Sequence, residues 1–503
     1  MLTELKTLEA KMKSFQSIFF HAPFEAEPKS EHGYLDDQDP FWKVLYNVLK
    51  ENGVLWCCAN NSLREGSLDV SPLQLATDLQ TLGFYTRNVI LWYNLEYANC
   101  SSHFGNRYSY ILFLVKDADH YKFNIDVVRE PHIWKEFEWG GGRRSRYHPL
   151  GKNPSNFWLR TISEHGKTLN HVPLSWKEMV RRCLQSCTES GDDVLGIVPK
   201  KGDFESVCKD LGLNFNLIQL HAEDFHPSSV KRSYLRTDLN RAAGIAPRVY
   251  YKSSESMSEV SAGEVQVVVT SPPYWGLRDY GVTDQIGFKE SYSTYLSRLE
   301  TVWAECYRVL HNTGTLWINI NKRWLDGKIL LFPVDIIRSC MKIGFTLRDI
   351  VMWFRAISVP GTGQRNFTDR YEFIMMFSKS DEIKFHEDRT RKRDFLNEDR
   401  GNLINVWKLY RRIGNLNRDA GYRAKLAIKH TAMFPDELVS RVVSLCSDEG
   451  EVVLDPFLGS GTTVAVAESL NRRGVGYEIN EAFRPLIDAR VNSNSQSLKR
   501  FLK

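Results

Sequence analysis

The chain repeats itself. "PLQLATDLQTLGFYTRNVILWY" at 72–93 and "PVDIIRSCMKIGFTLRDIVMWF" at 333–354 align without a gap, with proline, Gly-Phe, arginine and tryptophan in register. Three more pairs keep the same order: "GVLWCCAN" from Gly53 with "GTLWININ" from Gly314, "NRYSYILFLVK" at 106–116 with "DRYEFIMMFSK" at 369–379, and "NHVPLSWKEMVRRCLQSC" at 170–187 with "KHTAMFPDELVSRVVSLC" at 429–446. Convergent helix or strand patterning gives one such match; four in one order with similar separations point to duplication. The 503 residues, too many for one ordinary domain, are therefore expected as two copies of one fold. The first spans 1–228, a basic linker spans 229–250, and the second copy spans 251–503.

Composition excludes several classes. No run of eighteen apolar residues appears, and "MLTELKTLEAKMKSF" at the start is a charged amphipathic pattern without a signal-peptide core, so a cytoplasmic or nucleoid-associated protein with no membrane partner is expected. The nine cysteines are scattered, with no CxxC pair and no matched His spacing, which argues against a zinc site or a disulfide framework. A net charge of +5 permits a nucleic-acid partner without demanding one. The stretch 230–252 carries six Lys or Arg against one Asp, a solvated linker with phosphate contact as a secondary use.

Two motifs in the second copy carry chemistry. In "VVVTSPPYWGLRDYG", 267–281, four β-favouring residues run into Pro272 and Pro273, which stop the strand and fix a stiff turn whose carbonyls are free. A rigid carbonyl beside the Ser271 hydroxyl and the Tyr274 ring suits a flat group that carries an amino substituent. In "EVVLDPFLGSGTTVAVAESLNRRGVGYEIN", 451–480, a short strand ends at Asp455. A glycine-rich turn then leads into an apolar helix, and a second strand delivers Glu478. That βαβ layout binds an adenosine ribose by its hydroxyls. That stretch has neither a GxGxxG fingerprint nor a GK[ST] lysine, which disfavours a dinucleotide or a nucleoside triphosphate there.

Together "TSPPYW" and "DPFLGSGTT" resemble the DNA amino-methyltransferases that use S-adenosyl-L-methionine, and their order resembles the circularly permuted beta class. "HTAMFPDEL", 430–438, is similar to the family segment that packs on the methionine end of the cofactor; the likeness runs from about residue 247 to about 490. The resemblance implies an α/β fold of two tandem Rossmann-like, doubly wound, mostly parallel sheets, with the first copy degenerate and the pair a pseudo-dimer. It assigns Ser271, Pro272, Pro273 and Tyr274 to catalysis. It assigns Thr270, His430, Phe434, Pro435, Asp455, Pro456, Phe457, Gly459, Ser460, Gly461, Thr462, Thr463 and Glu478 to the cofactor. The implied reaction is direct in-line transfer to the exocyclic nitrogen of a base flipped out of double-stranded DNA, with Tyr274 stacking on it and Trp275 either extending that platform or packing in the core. Carbon-5 methylation needs a cysteine placed after a proline, and none of the nine follows one. Ser at the first motif position goes in the family with cytosine N4, and Asp or Asn with adenine N6.

The first copy departs at the functional positions. "FHAPF" stands opposite Thr270 to Tyr274, so His21 replaces the serine; Gly196 faces Asp455, Lys200 faces Gly459 and Leu220 faces Glu478. That copy is expected to keep the fold, bind no cofactor, transfer no methyl, and serve as a structural partner and DNA clamp. DNA-contact candidates are Arg143, Arg144 and Arg146 in "WGGGRRSRYHP", Arg365 in the loop 358–370, and Arg389, Arg391, Lys392, Arg393, Arg411 and Arg412 in the expected target-recognition span 381–429. Solvated surface is the competing reading for each group. Three functions stay open: a DNA cytosine-N4 methyltransferase, either solitary or paired with a restriction endonuclease; the same fold acting on adenine N6, RNA or a protein amide; and a catalytically dead DNA-binding subunit. A fused pseudo-dimer implies a monomer.

Overall fold

The computed structural model describes residues 1–22, 40–60, 63–64, 67–93, 104, 106–130, 148–164, 168–220, 247–355, 367–389, 404–409 and 435–497. Two sheets dominate. The first is built from Phe15–Ala22 (β1), Leu49–Asn60 (β2), Tyr85–Tyr93 (β3), Tyr108–Val115 (β4), Phe157–Trp158 (β5), Asp193–Val198 (β6) and Asn214–Gln219 (β7), in the order β7-β6-β1-β2-β4-β3-β5. The second contains Arg248–Tyr250 (β8), Val265–Thr270 (β9), Leu310–Ile320 (β10), Thr346–Phe354 (β11), Tyr371–Ser378 (β12), Val406–Lys408 (β13), Val452–Asp455 (β14) and Arg473–Tyr477 (β15), in the order β8-β15-β14-β9-β10-β12-β11-β13. Strand for strand the two orders coincide, apart from the added edge strand β8. In each sheet the one strand that runs antiparallel to both its neighbours, β4 or β12, sits at the same place.

Two expectations shift here. Arg248–Tyr250 pairs in parallel with β15 from Val475 to Tyr477, so the end of the linker belongs to the second sheet. The segment 404–409 falls in the expected target-recognition span, but Val406–Lys408 is the outermost strand β13 and Trp407 is fully buried, its ring 6.0 Å from that of Trp317. Its aromatic side chain completes the sheet's core, as Trp158 does in the first half, where Arg182 lies over it.

The strands follow from their composition. Val265–Thr270 reads Val-Gln-Val-Val-Val-Thr and is buried along its whole length between β10 and β14, as expected of a β-branched central strand covered on both faces. The helix Tyr292–Val309 that covers it starts where the Ser291 hydroxyl accepts the Thr294 N–H.

The two halves share a core and meet through reciprocal contacts. Tyr108 Oη donates to the Ile350 carbonyl at 2.7 Å, and its counterpart Tyr371 donates to the Val89 carbonyl at 2.6 Å. Phe104 packs on Trp317, Phe385 and Trp407 of the second half, while Phe367 packs on Phe113 and Trp158 of the first. Across the junction Asn156 N–H donates to the Thr368 carbonyl at 2.9 Å and Thr368 N–H to the Pro154 carbonyl at 3.0 Å, while the Arg107 N–H donates to Asn405 Oδ1 and the Arg370 N–H to Asn156 Oδ1. The same interface is thus built twice, as a two-fold pair builds it.

Candidate functional site

β9 and β14 lie side by side and parallel, with β10 beyond β9. Their carboxyl ends bracket the point where the chain order reverses, the place an open α/β sheet offers to ligands. Thr270 ends β9 and Asp455 ends β14. Thr270 Oγ1 donates to Asp455 Oδ1 at 2.7 Å, Thr463 Oγ1 donates to Oδ2 at 2.7 Å, and the Phe457 N–H donates to Oδ1 at 3.0 Å. Asp455 is buried, and that burial pushes its carboxyl up to about 6 in spite of these three donors. Its role in this geometry is to fasten the glycine-rich turn to the strand that carries Ser271.

The turn itself needs its glycines. Gly459 and Gly461 have φ of +54° and +85°, and a Cβ on Gly461 would stand 3.2 Å from Ile487. The helix Thr462–Ser469 follows, presenting its first turn to the ends of β9 and β14. Glu478, one residue beyond β15, accepts the Gly459 N–H at 2.7 Å and the Asn480 N–H at 2.8 Å, one on each oxygen. Burial first, with the neighbouring Asp455 adding to it, raises this carboxyl to about 7. Ser460 Oγ accepts from Arg490 at 3.1 Å, and Arg490 also pairs with Asp436 at the start of the helix Asp436–Cys446. Pro435 caps that helix; Pro456 and Phe457 open the turn, the latter packed against the core and edge-on to Trp303.

At the end of β9, Pro272 is buried while Ser271, Pro273 and Tyr274 are half-buried. The Pro273 carbonyl is taken: Tyr295 Oη donates to it at 2.9 Å. Among the described residues Ser271 Oγ and the Pro272 carbonyl have no such partner. Tyr274 is held at both ends, its ring edge-on to Phe332 and its hydroxyl accepting the Asn321 N–H at 2.8 Å. Burial and the nearby Glu372 raise its phenol, keeping it a neutral hydroxyl. Trp275 has turned to packing: its indole N–H donates to the Glu290 carbonyl at 2.9 Å and its ring meets Tyr292.

The sequence singled out most of this set but not Tyr295, Asn321, Asp436 or Arg490. Asn321 had a signal, since it ends "GTLWININ" as Asn60 ends the repeat of that stretch; Arg490 had none. Of the other candidates, Arg389 is exposed and donates to the Ser447 carbonyl at 2.8 Å and to Asp448 at 2.7 Å. His430, Phe434, Arg143, Arg144, Arg146, Arg365, Arg391, Lys392, Arg393, Arg411 and Arg412 lie outside the described residues.

A carboxylate-anchored glycine turn stands beside a Ser-Pro-Pro-Tyr turn at the switch point, where an open α/β sheet takes its ligands. The sequence profile of the family described as DNA methylase matches residues 18–226 and 265–488, and the chain belongs to that family of N6/N4 methyltransferases. It is 30% identical over 265 residues to the type II methyltransferase M.Cfr9I of Citrobacter freundii, covering 47% of this chain and 83% of that one. To M.XycI of Xanthomonas campestris pv. cyanopsidis it is 30% identical over 273 residues, covering 48% and 87%. Among solved structures it is similar to the Thermus thermophilus protein TTHA0409 in complex with S-adenosyl-L-methionine, at 27% identity and TM-score 0.37, covering 50% of this chain and 97% of that one. The cytosine-N4-specific PvuII DNA methyltransferase matches at 18% identity and TM-score 0.42, over 51% and 93%.

Proposed function

We propose that this chain methylates the N4 amino group of cytosine in double-stranded DNA, with S-adenosyl-L-methionine as donor, and that only its second half does so. The observation that carries this reading is the pair of acceptors left open among the described residues, Ser271 Oγ and the Pro272 carbonyl, fixed at the end of β9 one residue from the Thr270–Asp455 junction.

The residues fit that donor. Glu478 is a buried carboxylate held by two neutral N–H groups, and each oxygen keeps capacity for one more hydrogen bond. A ribose with two vicinal hydroxyls supplies what is missing. The cofactor brings an electrophilic sulfonium methyl. The protein does the rest: Ser271 and Pro272 accept the two amino hydrogens, drawing the nitrogen towards a tetrahedral shape and aiming its lone pair. Such positioning is worth about 7–11 kcal/mol. Tyr274 offsets the unstacking cost of the flipped base by about 1–3 kcal/mol.

The first half offers none of this. His21 stands in place of Ser271, buried, with burial and then Lys200 lowering its ring to about 4, and the Trp176 indole donates to its Nδ1 at 3.1 Å. Where Asp455 and Thr463 meet in the second half, Gly196 and Phe204 meet in the first, so closely that a Cβ on Gly196 would stand 2.6 Å from the ring. The helix Lys201–Asp210 begins directly after Lys200, whose φ of −101° replaces the left-handed turn at Gly459. Phe204 and Leu217 crowd Gly196, leaving no room for the carboxylate that anchors the turn in the second half.

The serine favours cytosine N4 over adenine N6, and the type II relatives favour a role beside a cognate restriction endonuclease. The test is to incubate the protein with unmethylated genomic DNA and labelled S-adenosyl-L-methionine and to identify the modified nucleoside by mass spectrometry. N4-methylcytosine that disappears in Ser271→Ala is the expected result. N6-methyladenine overturns the base assignment, and label in RNA or protein alone overturns the substrate.

A further inference from the structure

Beneath the Ser271–Tyr274 turn lies a partly buried charged cluster that the chemistry above does not use: Lys322 and Glu372 are shielded, while the Asp369 and Arg355 side chains are 39% and 26% exposed. Lys322 Nζ donates to Asp369 Oδ1 at 2.6 Å, and Arg355 donates to Oδ2 at 2.8 Å while standing 3.3 Å from Glu372. Burial works against the Asp369 charge, but Lys322 and Arg355 outweigh it and hold the carboxyl below its usual range. Asn321 ties the cluster to the turn: its backbone N–H donates to Tyr274 Oη at 2.8 Å and its side-chain amide to Asp369 Oδ2 at 3.0 Å. The first half reaches in as well. Asn156 Nδ2 donates to Asp369 Oδ1 at 2.8 Å, and Asn156 Oδ1 accepts the Arg370 N–H at 2.9 Å. An unbroken run of hydrogen bonds therefore leads from Asn156 in the first half, through Asp369 and Asn321, to Tyr274 in the second.

The repeat contains the mirror image of this arrangement. Asn405 in the second half donates through Nδ2 to Asn106 Oδ1 at 3.0 Å, and its Oδ1 accepts the Arg107 N–H at 3.0 Å. The interface geometry is the same, but the charges are gone. In the aligned sequence Asn106 stands for Asp369, Ser109 for Glu372 and Asn61 for Lys322, and Phe24 in place of Tyr274 offers no hydroxyl. Neutral amides are enough to join the halves on that side. Ion pairs contribute weakly to stability, because screening near the surface and desolvation in the interior each offset their attraction. Of the two mirrored positions, the described residues place such a charged cluster beneath the Ser-Pro-Pro-Tyr turn and neutral amides at the other, which points to the turn and not to the interface.

We propose that Asn156 is a positioning residue for methyl transfer: the first half, through Asn156, Asp369 and Asn321, holds Tyr274 and its turn in the transferring geometry. This rests on the reading of that turn as the site of transfer. The experiment compares Asn156→Ala with Asn405→Ala in the full-length protein. The second variant removes both mirror hydrogen bonds, to Asn106 and from the Arg107 N–H, at an equally buried position. Three quantities are measured: the single-turnover rate of label transfer to unmethylated genomic DNA, the dissociation constant for S-adenosyl-L-methionine, and hydrogen exchange at the Gly276, Leu277 and Asn321 amides. Asn156→Ala is expected to slow transfer about tenfold, leave cofactor affinity within about twofold, and speed exchange at those three amides. Asn405→Ala is expected to match it in melting temperature while changing neither rate nor exchange. Should Asn156→Ala not fold, Asn156→Asp keeps the shape, sets an acceptor against Asp369, and carries the same expectations. Equal rates and equal exchange in the two variants overturn the proposal, as does a loss confined to cofactor affinity. Exchange decides it even if the wild-type protein labels no DNA, an outcome that would instead strike the proposed function.

Discussion

Thr270 and Asp455, 185 positions apart in the chain, meet at 2.7 Å and are both buried. One ends the strand that carries the Ser-Pro-Pro-Tyr turn; the other ends the strand that carries the glycine-rich turn. Their hydrogen bond sets the distance between the two halves of the site. Thr270→Val keeps the shape and leaves an Asp455 oxygen short of a donor, and should cost about 1–3 kcal/mol. Asp455→Ala strands two hydroxyls and an N–H and should cost more, whereas Asp455→Asn keeps one acceptor and should fall between. Urea unfolding with and without S-adenosyl-L-methionine checks this: the stabilisation by cofactor should shrink in the same order as the intrinsic stability.

The two raised carboxyls give the free protein a defined pH response. Asp455 titrates near 6 and Glu478 near 7 in the folded chain, above their ordinary values near 4. Between those limits the folded state binds more protons than the unfolded one, so stability falls as pH rises. Their contribution is fully present below about pH 4 and is lost as pH passes 6 and then 7. Ribose hydroxyls bind the ionised Glu478 best, so cofactor affinity should run the opposite way, strengthening as pH rises through about 7. Glu478→Gln should flatten both trends and weaken binding. Unfolding and calorimetric binding from pH 5 to 8 test the two slopes together.

Within the turn proposed to carry methyl transfer, chemistry and positioning separate by residue. Ser271→Ala should abolish detectable transfer, about a hundredfold loss or more, with cofactor affinity unchanged. Tyr274→Phe keeps the ring but removes the acceptor of the Asn321 N–H, so it should retain base stacking and slow transfer only about tenfold. Single-turnover rates and cofactor titrations on the same preparations distinguish the two.

Each chain should bind one cofactor, not two. Calorimetry on the wild type should give a stoichiometry near one, and Asp455→Ala should lower it towards zero. Lys200→Gly in the first half should change neither stoichiometry nor rate, because Gly196 and Leu220 still supply no carboxylate and the Phe204 ring still lies against Gly196. A second equivalent would show that the first half retains a site.

Much of this was legible in the chain because it is carried by local rules. A β-branched strand stopped by two prolines, and a glycine turn followed by an apolar helix, mark their own places. The repeat foretold two sheets of one design. What escaped was set by contacts distant in sequence. Trp407 reads as part of a basic surface segment and becomes core only because Trp317 and Phe104 close over it. Trp275 reads equally well as stacking platform or packed core, and the Glu290 carbonyl decides it. Arg490, thirty positions from Ser460, has no motif to announce it.

The halves meet as the subunits of a two-fold dimer would, and that contact uses up the surface that would pair. Tyr108 and Tyr371 each place a hydroxyl on a buried carbonyl of the opposite half, Ile350 and Val89. Removing either hydroxyl leaves that carbonyl unsatisfied, so Tyr108→Phe and Tyr371→Phe should each cost about 1–3 kcal/mol. The costs should be alike, because the two contacts are mirror images. Since the pairing face is filled within one chain, the wild type should sediment as a monomer at micromolar concentration. Both variants should remain monomeric and lose stability without gaining a partner. A dimer in either variant would mean that the internal contact competes with an external one, and that the fused arrangement had not replaced association between chains.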